Sequence, residues 1–239
     1  MALKSISLLD KQFDISYEIV NPSATVDIVF LHGWGSNKDI MKQAFSSCLK
    51  DYRHIYVDMP GFGKSSNDYI LTTDEYAKIM QEFFNTLNTN IIAIAGHSYG
   101  GKVATLLNPS NLILLSSAGI LEEKTKSVKM KIAMAKTLNS FGLGKITKAF
   151  RSKDVNTMSE NMYATFKNVV NEDFSKKFQN YEKNAMIFWG ETDSATTLPS
   201  GKKINSLIKN SSFDSYNSDH YFFLKYAQDI CLKIEHGIK

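Results

Sequence analysis

The sequence predicts an α/β fold, a mostly parallel central sheet flanked by helices, with a helical lid inserted into it. Three observations carry this. Short apolar runs alternate with helical patterns from "VDIVFLHGWG" to "NLILLSSAG", the rhythm of βαβ units. The alternation stops between about residues 119 and 184, where only helical stretches follow one another. It resumes at "AMIFWGETD" and runs to the last helix. The economical division is a core of residues 1–118 and 185–239, interrupted by a helical cap at 119–184.

The elements follow in order. "LKSISLL" and "FDISYEIV" read as an antiparallel strand pair, and "VDIVFLHGWG" as a buried strand ending in a Gly turn. "IMKQAFSSCLK" has helical spacing, and "HIYVDMPGFGKSS" is a strand running into a loop. "DEYAKIMQEFFNTL" is an amphipathic helix for which Thr72 or Thr73 is the N-cap. "IIAIAG" is a strand, a helix begins near Ser98, and "NLILLSSAG" is the next strand. In the cap, "VKMKIAMAKTLNSF" and "MSENMYATFKNVV" are helical. After it come the strand "AMIFWGETD", the helix "GKKINSLI", the strand "SSFDSYNSDH" and the helix "FFLKYAQDICLKIEHG".

Composition narrows the function classes. The chain has 239 residues, 43% hydrophobic and 22% charged, with four prolines, an ordinary globular composition. The N-terminus meets polar and acidic residues too early for a signal peptide, and no apolar run approaches the ~20 residues of a spanning helix. A cytoplasmic protein is expected, with neither a membrane nor a nucleic acid as partner. Cys48 and Cys231, the only cysteines, each fall in a helical pattern and are expected as reduced thiols. Neither they nor the five histidines have metal-site spacing. Residues 121–153 hold nine basic and two acidic residues, a local +7 in a chain of +4. Lys124, Lys126, Lys129, Lys131, Lys136, Lys145, Lys148, Arg151 and Lys153 carry it. A solvated helix surface explains such a stretch, and so does a docking site for an acidic partner.

The stretch "NIIAIAGHSYGGKVATLL" carries two competing motifs. As G-x-x-x-x-G-K (Gly96, Gly101, Lys102) it is one residue short of a P-loop, which needs a hydroxyl after the lysine to ligate Mg²⁺. That position is Val103, and the P-loop reading fails there. As G-x-S-x-G (Gly96, Ser98, Gly100) it is a nucleophile elbow. A serine hydroxyl needs a base, and the base an acid to hold its tautomer. In this architecture the acid and the histidine follow the serine in the chain. Asp193 lies after the strand "AMIFWG", and His220 after the last strand, in "NSDH". Catalysis is therefore assigned to Ser98, Asp193 and His220. Backbone N–H groups of Tyr99 and Trp34 are expected to form the oxyanion hole, and Gly33 and Trp34 to contact substrate.

Other residues compete for these roles. His32 is expected to be structural, His97 to point away from the pocket, and His236 to sit in the terminal helix; His54 is the remaining histidine. Asp193 competes with Glu191, Asp219, Glu122 and Glu123.

With these residues in place, the chain resembles the α/β-hydrolase superfamily over nearly its whole length. "LHGWG" resembles the oxyanion loop, "DMPGFGKS" the loop after the next strand, and "GHSYGG" the elbow. "FWGETDSATTLPSGKKI" resembles the acid-bearing segment and "SDH" the histidine loop, although Asp219 stands where glycine is common. A single helical cap is similar to that of carboxylesterases, including the pimeloyl-carrier methyl esterase, and of carbon–carbon hydrolases of ring-fission products. The resemblance implies a serine hydrolase without cofactor, acting on a small-molecule ester or ketone. An acidic carrier protein at the basic cap is a further expected partner. Cleavage of a small or medium carboxylic ester leads, a dienoate carbon–carbon hydrolase is second, and a slow or non-catalytic ligand sensor on the same fold is third.

Overall fold

The computed structural model describes residues 1–8, 10–121 and 158–238. Most of the expected cap, the basic stretch, and Glu122 and Glu123 lie outside the described residues.

The chain begins with the hairpin β1 (Ala2–Leu8) and β2 (Lys11–Val20), paired antiparallel. There follow β3 (Asp27–Leu31), α1 (Lys38–Phe45), β4 (Arg53–Val57), α2 (Thr73–Asn85), β5 (Ile91–His97), α3 (Tyr99–Leu107) and β6 (Asn111–Leu115). Between β6 and β7 (Asn184–Gly190) the described residues form α4 (Glu160–Val169) and α5 (Ser175–Gln179). The chain closes with α6 (Leu198–Leu207), β8 (Ser211–Tyr216) and α7 (Phe223–Gly237).

One eight-stranded sheet runs in the order β1-β2-β4-β3-β5-β6-β7-β8. From β4 to β8 every pairing is parallel. A parallel sheet is covered on both faces, so its strands must be apolar at successive positions. Alternate residues of β3 show this: Val29 and Leu31 enter the core under α2 and α3, while Ile28 and Phe30 enter the core under α1 and α7. β6 divides its Leu112/Leu114 and Ile113/Leu115 pairs in the same way.

The strand order reverses direction between β3 and β5, since β4 lies on one side of β3 and β5 on the other. Ligands in open α/β sheets bind in the crevice outside the carboxyl ends at such a point. The loop of Gly33 and Trp34 leaves β3 there, and Ser98 leaves β5 there.

Of the two N-cap candidates for α2 the structure selects Thr72. Its hydroxyl accepts from Glu75 N–H while the Glu75 carboxylate accepts from Thr72 N–H, a full capping box.

The cysteines depart from expectation twice. α1 ends at Phe45, so Cys48 lies in the connection beyond it rather than in a helix. Cys48 and Cys231 are also joined as a disulfide, with Cα atoms 6.3 Å apart across 183 residues of sequence. The cause is topological, because α1 and α7 share one face of the sheet, a juxtaposition that cysteine count and spacing do not reveal. Among the described residues, no helix is long and apolar enough to cross a membrane.

Candidate active site

Ser98 occupies a sharp turn between β5 and α3 with φ 52° and ψ −115°, outside the regions an L-residue favours. The surroundings fix that conformation. Ser98 N–H donates to Leu115 O on the neighbouring strand, and Ser98 O accepts from both Gly101 N–H and Ala118 N–H. The two flanking glycines are demanded by close approach rather than by φ. A Cβ on Gly96 would lie 2.4 Å from Gly100 O, and one on Gly100 would lie 2.5 Å from Leu31 O. Strand and helix can therefore meet only without side chains at these positions.

Tyr99 is the first residue of α3, where helix geometry leaves N–H groups without intrahelical partners. Trp34 lies in a turn closed by Ser36 N–H donating to Gly33 O. The Trp34 and Tyr99 rings pack edge-on with centroids 5.3 Å apart. A Cβ on Gly33 would reach to 3.1 Å from Ser98 Cβ. Gly33 thus lies directly against the serine, and Trp34 walls the cavity described below.

The acid and the histidine meet across the loops after β7 and β8. Asp193 Oδ2 and His220 Nδ1 are 2.6 Å apart. The other oxygen, Oδ1, accepts from the N–H groups of Ala195 (2.8 Å) and Thr196 (3.0 Å). Burial pushes the Asp193 pKa upward, but hydrogen bonds from His220 and Thr196 N–H outweigh it and pull it down to about 2. An ionised carboxylate only accepts, so His220 carries its proton on Nδ1 and leaves Nε2 free to take one. Among the described residues no hydrogen bond joins Ser98 Oγ to His220. The competing acids are engaged elsewhere: exposed Glu191 accepts from Ser215 Oγ, and Asp219 from Tyr221 N–H.

Three further histidines are buried. Met59 N–H donates to His32 Nε2 while His32 Nδ1 contacts Gly33 O at 2.8 Å. Burial pushes the pKa of His32 down to about 4. His32 therefore ties the Gly33–Trp34 loop to the loop after β4 as a neutral group. His54 bridges Tyr56 Oη and Leu49 O. His97 turns its Nε2 to His220 O at 3.1 Å and packs its ring 4.5 Å from that of His220. His236 falls in α7.

A cavity of ≈ 350 Å³ opens onto Ser98. Its apolar wall includes Trp34, Ile120, Phe166 and Val169, the last two from α4, and Lys102 and Glu172 lie at its polar side. Among the described residues no cluster of His, Cys, Asp or Glu could hold a metal ion.

The family model described as "Alpha/beta hydrolase family" matches residues 28–190. The chain belongs to the alpha/beta hydrolase family. A pimeloyl-[acyl-carrier protein] methyl ester esterase of Shewanella oneidensis is 39% identical over 79 residues, 33% of this chain and 28% of that protein. A 2-succinyl-6-hydroxy-2,4-cyclohexadiene-1-carboxylate synthase of an Enterobacter species is 28% identical over 109 residues, 43% of this chain and 42% of that one. The chain thus spans less than half the length of these curated relatives. Among solved structures, an esterase from Exiguobacterium antarcticum superposes with a TM-score of 0.76 at 21% identity, covering 98% of each chain. The fold is that of the family.

Within this hydrolase fold, several residues around the site escaped the sequence reading. Thr196 Oγ1 lies 2.9 Å from Asp193 Oδ2 and 3.0 Å from Ser116 O. The D-x-x-T spacing of "DSAT" is an Asx-type turn signal that could have found it. Asp58 receives Lys38 N–H and Nζ, both at 2.7 Å, and Lys64 N–H at 3.0 Å. It thereby pins the start of α1 to the loop after β4. Asp219, unusual for lacking the common glycine, does not have positive φ. The space-saving residue is instead Gly190, whose Cβ would lie 2.1 Å from Asp219 O.

Proposed function

We propose that this alpha/beta hydrolase cleaves a small or medium carboxylic ester through Ser98, His220 and Asp193. The observation that carries the reading is the 2.6 Å contact of Asp193 Oδ2 with His220 Nδ1, on the sheet edge where Ser98 borders the cavity. His220 Nε2 removes the Ser98 proton as Oγ attacks the ester carbonyl, in a hydrogen bond that closes when substrate is bound. The Tyr99 and Trp34 N–H groups receive the oxyanion, each donor contributing about 3 kcal/mol. His220 then protonates the departing alcohol, and water, deprotonated by the same nitrogen, releases the acyl group. Asp193 stays ionised and stabilises the imidazolium.

The likeness to a carrier-protein methyl ester esterase and the basic stretch 124–153 support a carrier-linked ester as one substrate. The helices α4 and α5 support a cap over residues 119–184.

Hydrolysis of p-nitrophenyl esters of increasing acyl length, beside Ser98→Ala, tests the reading. Turnover lost with Ser98 is expected, and the length profile sizes the pocket. No turnover by folded protein overturns the ester reading in favour of a carbon–carbon hydrolase or a sensor, which dienoate turnover then separates. A carrier-linked ester hydrolysed equally well after Lys124, Lys126 and Lys129 are changed to Glu would sink the carrier-docking idea.

A further inference from the structure

Among the described residues, Lys102 and Glu172 are the charged groups of the cavity lining, and the mechanism uses neither. Lys102 lies in the first turn of α3, the helix that starts directly after Ser98. Its side chain is 2% exposed and yet borders the cavity beside Ser98 and Tyr99. Nζ donates to Val169 O at 2.6 Å and to Glu172 Oε2 at 2.7 Å. It also lies 4.6 Å from the centroid of the Phe174 ring. An ammonium has three donors, and these two oxygens use two of them.

A buried ion pair is weak evidence of a stabilising role, since a well-packed apolar substitute often does as well. The pair is also lopsided. Lys102 is enclosed, whereas the Glu172 side chain is 27% exposed. Glu172 has a second partner as well, the Thr73 hydroxyl at the start of α2. The carboxylate thus has solvent and the Thr73 hydroxyl to turn to when another anion takes its place, while the buried lysine requires an anion beside it. Around it the wall is apolar, with Trp34, Phe166 and Val169, so a charge–charge contact there is weakly screened. Trp34 Nε1 is itself buried with no hydrogen-bond partner among the described residues, a second donor on a cavity-lining side chain.

We infer that Lys102 is a specificity-determining residue that receives a free carboxylate of the substrate, with Glu172 as the resident group which that carboxylate displaces. The substrate class is then a half-ester: one carboxyl esterified and presented to Ser98, the other ionised and held at Lys102. This rests on the ester-hydrolase reading.

The two partners make opposite predictions, which separates recognition from mere structural pairing. The readout is the ratio of kcat/KM for a monomethyl dicarboxylate to that for the methyl monocarboxylate of equal chain length, over the succinate-to-pimelate series. Wild type is expected to favour the half-ester at least tenfold at one preferred length. Lys102→Met should collapse that ratio by tenfold or more, Lys102→Arg should keep a preference with a shifted optimal length, and Glu172→Gln should raise the ratio severalfold. If Lys102→Met does not fold, Glu172→Gln, at the more exposed partner, decides alone. A wild-type preference for the neutral ester at every length, or a ratio unmoved by Glu172→Gln, overturns the inference. Ser98-dependent hydrolysis without carboxylate preference sinks this inference only, whereas absence of Ser98-dependent hydrolysis sinks the ester reading beneath it.

Discussion

The serine half and the histidine half of the site are held by different kinds of bond. Ser98 is fixed by main chain: a strained φ, three backbone hydrogen bonds, and glycines that let strand and helix touch. His220 is fixed by side chains. Asp193 grips its Nδ1, Thr196 steadies Asp193, and the His97 ring reaches behind to its carbonyl. Backbone-held geometry is steric and fails abruptly, while side-chain-held geometry is a set of separable contacts and fails in steps. The same contrast explains which half is easy to read from sequence.

The largest effect should come from the contact that defines the histidine half. Asp193→Asn keeps the size of the side chain but allows its amide to donate, which favours the wrong His220 tautomer. Ester turnover is expected to fall by about 10³–10⁴-fold in kcat, with the melting temperature changed far less. A variant retaining a tenth of wild-type kcat would mean that another acid serves His220. Asp193 also has a pH signature. Its pKa of about 2, lowered from 3.8, stabilises the fold above the unfolded value, and that contribution is lost as pH falls from about 4 through 2. Worth about 2 kcal/mol, it should be absent from the acid unfolding of Asp193→Asn, as read by urea titrations at pH 5 and pH 2.5.

On the serine side, Gly100→Ala is the corresponding break. The added methyl would lie 2.5 Å from Leu31 O and 2.6 Å from His32 O, both backbone atoms that cannot step aside. Destabilisation of roughly 3 kcal/mol is expected, the upper part of the usual overpacking range, together with loss of turnover in whatever remains folded. Circular dichroism melting and an ester assay on the soluble fraction check this. Native stability with native turnover would mean that the elbow is looser than its contacts indicate.

The disulfide belongs to the histidine half, since α7 begins three residues after His220. Cys231→Ala is expected to lower unfolding stability by about 2–4 kcal/mol, while kcat well below the melting temperature stays within a few-fold. Thiol titration of the unreduced, denatured wild type should find no free thiol. Two thiols per chain would remove the staple and restore the reduced state expected from cysteine count.

Legibility followed the same divide. The apolar runs of β3, β5 and β6 and the elbow glycines are local patterns, and each strand and the turn at Ser98 lie where those patterns place them. Thr72 against Thr73 was open in the sequence because either hydroxyl can cap, and Glu75 three residues on decides it. Asp193 and His220 were visible only as residues ending strands, and their 2.6 Å contact depends on how β7 and β8 pair. The Cys48–Cys231 bond and the Lys102–Glu172 pair were invisible. Each joins elements far apart in the chain, and no local period records which helices share a face.

The finest contrast between the halves lies in His97, a residue of the elbow motif whose side chain serves the histidine side. His97→Phe keeps the ring among His220, Tyr221 and Phe223 but deletes the donor to His220 O. A loss of about 1 kcal/mol in stability and roughly tenfold in kcat is expected. Burial, with help from neighbouring His220, pushes the His97 pKa down to about 3, so it is uncharged near neutral pH. The acidic limb of the kcat/KM profile should therefore keep its midpoint in His97→Phe. Stability should respond in the opposite sense. A histidine whose folded pKa lies below its unfolded value stabilises the fold least at low pH, because the unfolded chain binds the extra proton. The stability advantage of wild type over His97→Phe should accordingly shrink as pH falls below the unfolded histidine pKa, and reverse towards pH 4, where proton uptake by the unfolded chain outweighs the lost hydrogen bond. Urea midpoints at pH 7, 5.5 and 4 read it directly. A wild-type advantage that grows as pH falls would mean that His97 is charged in the folded protein and acts on His220 electrostatically rather than by position.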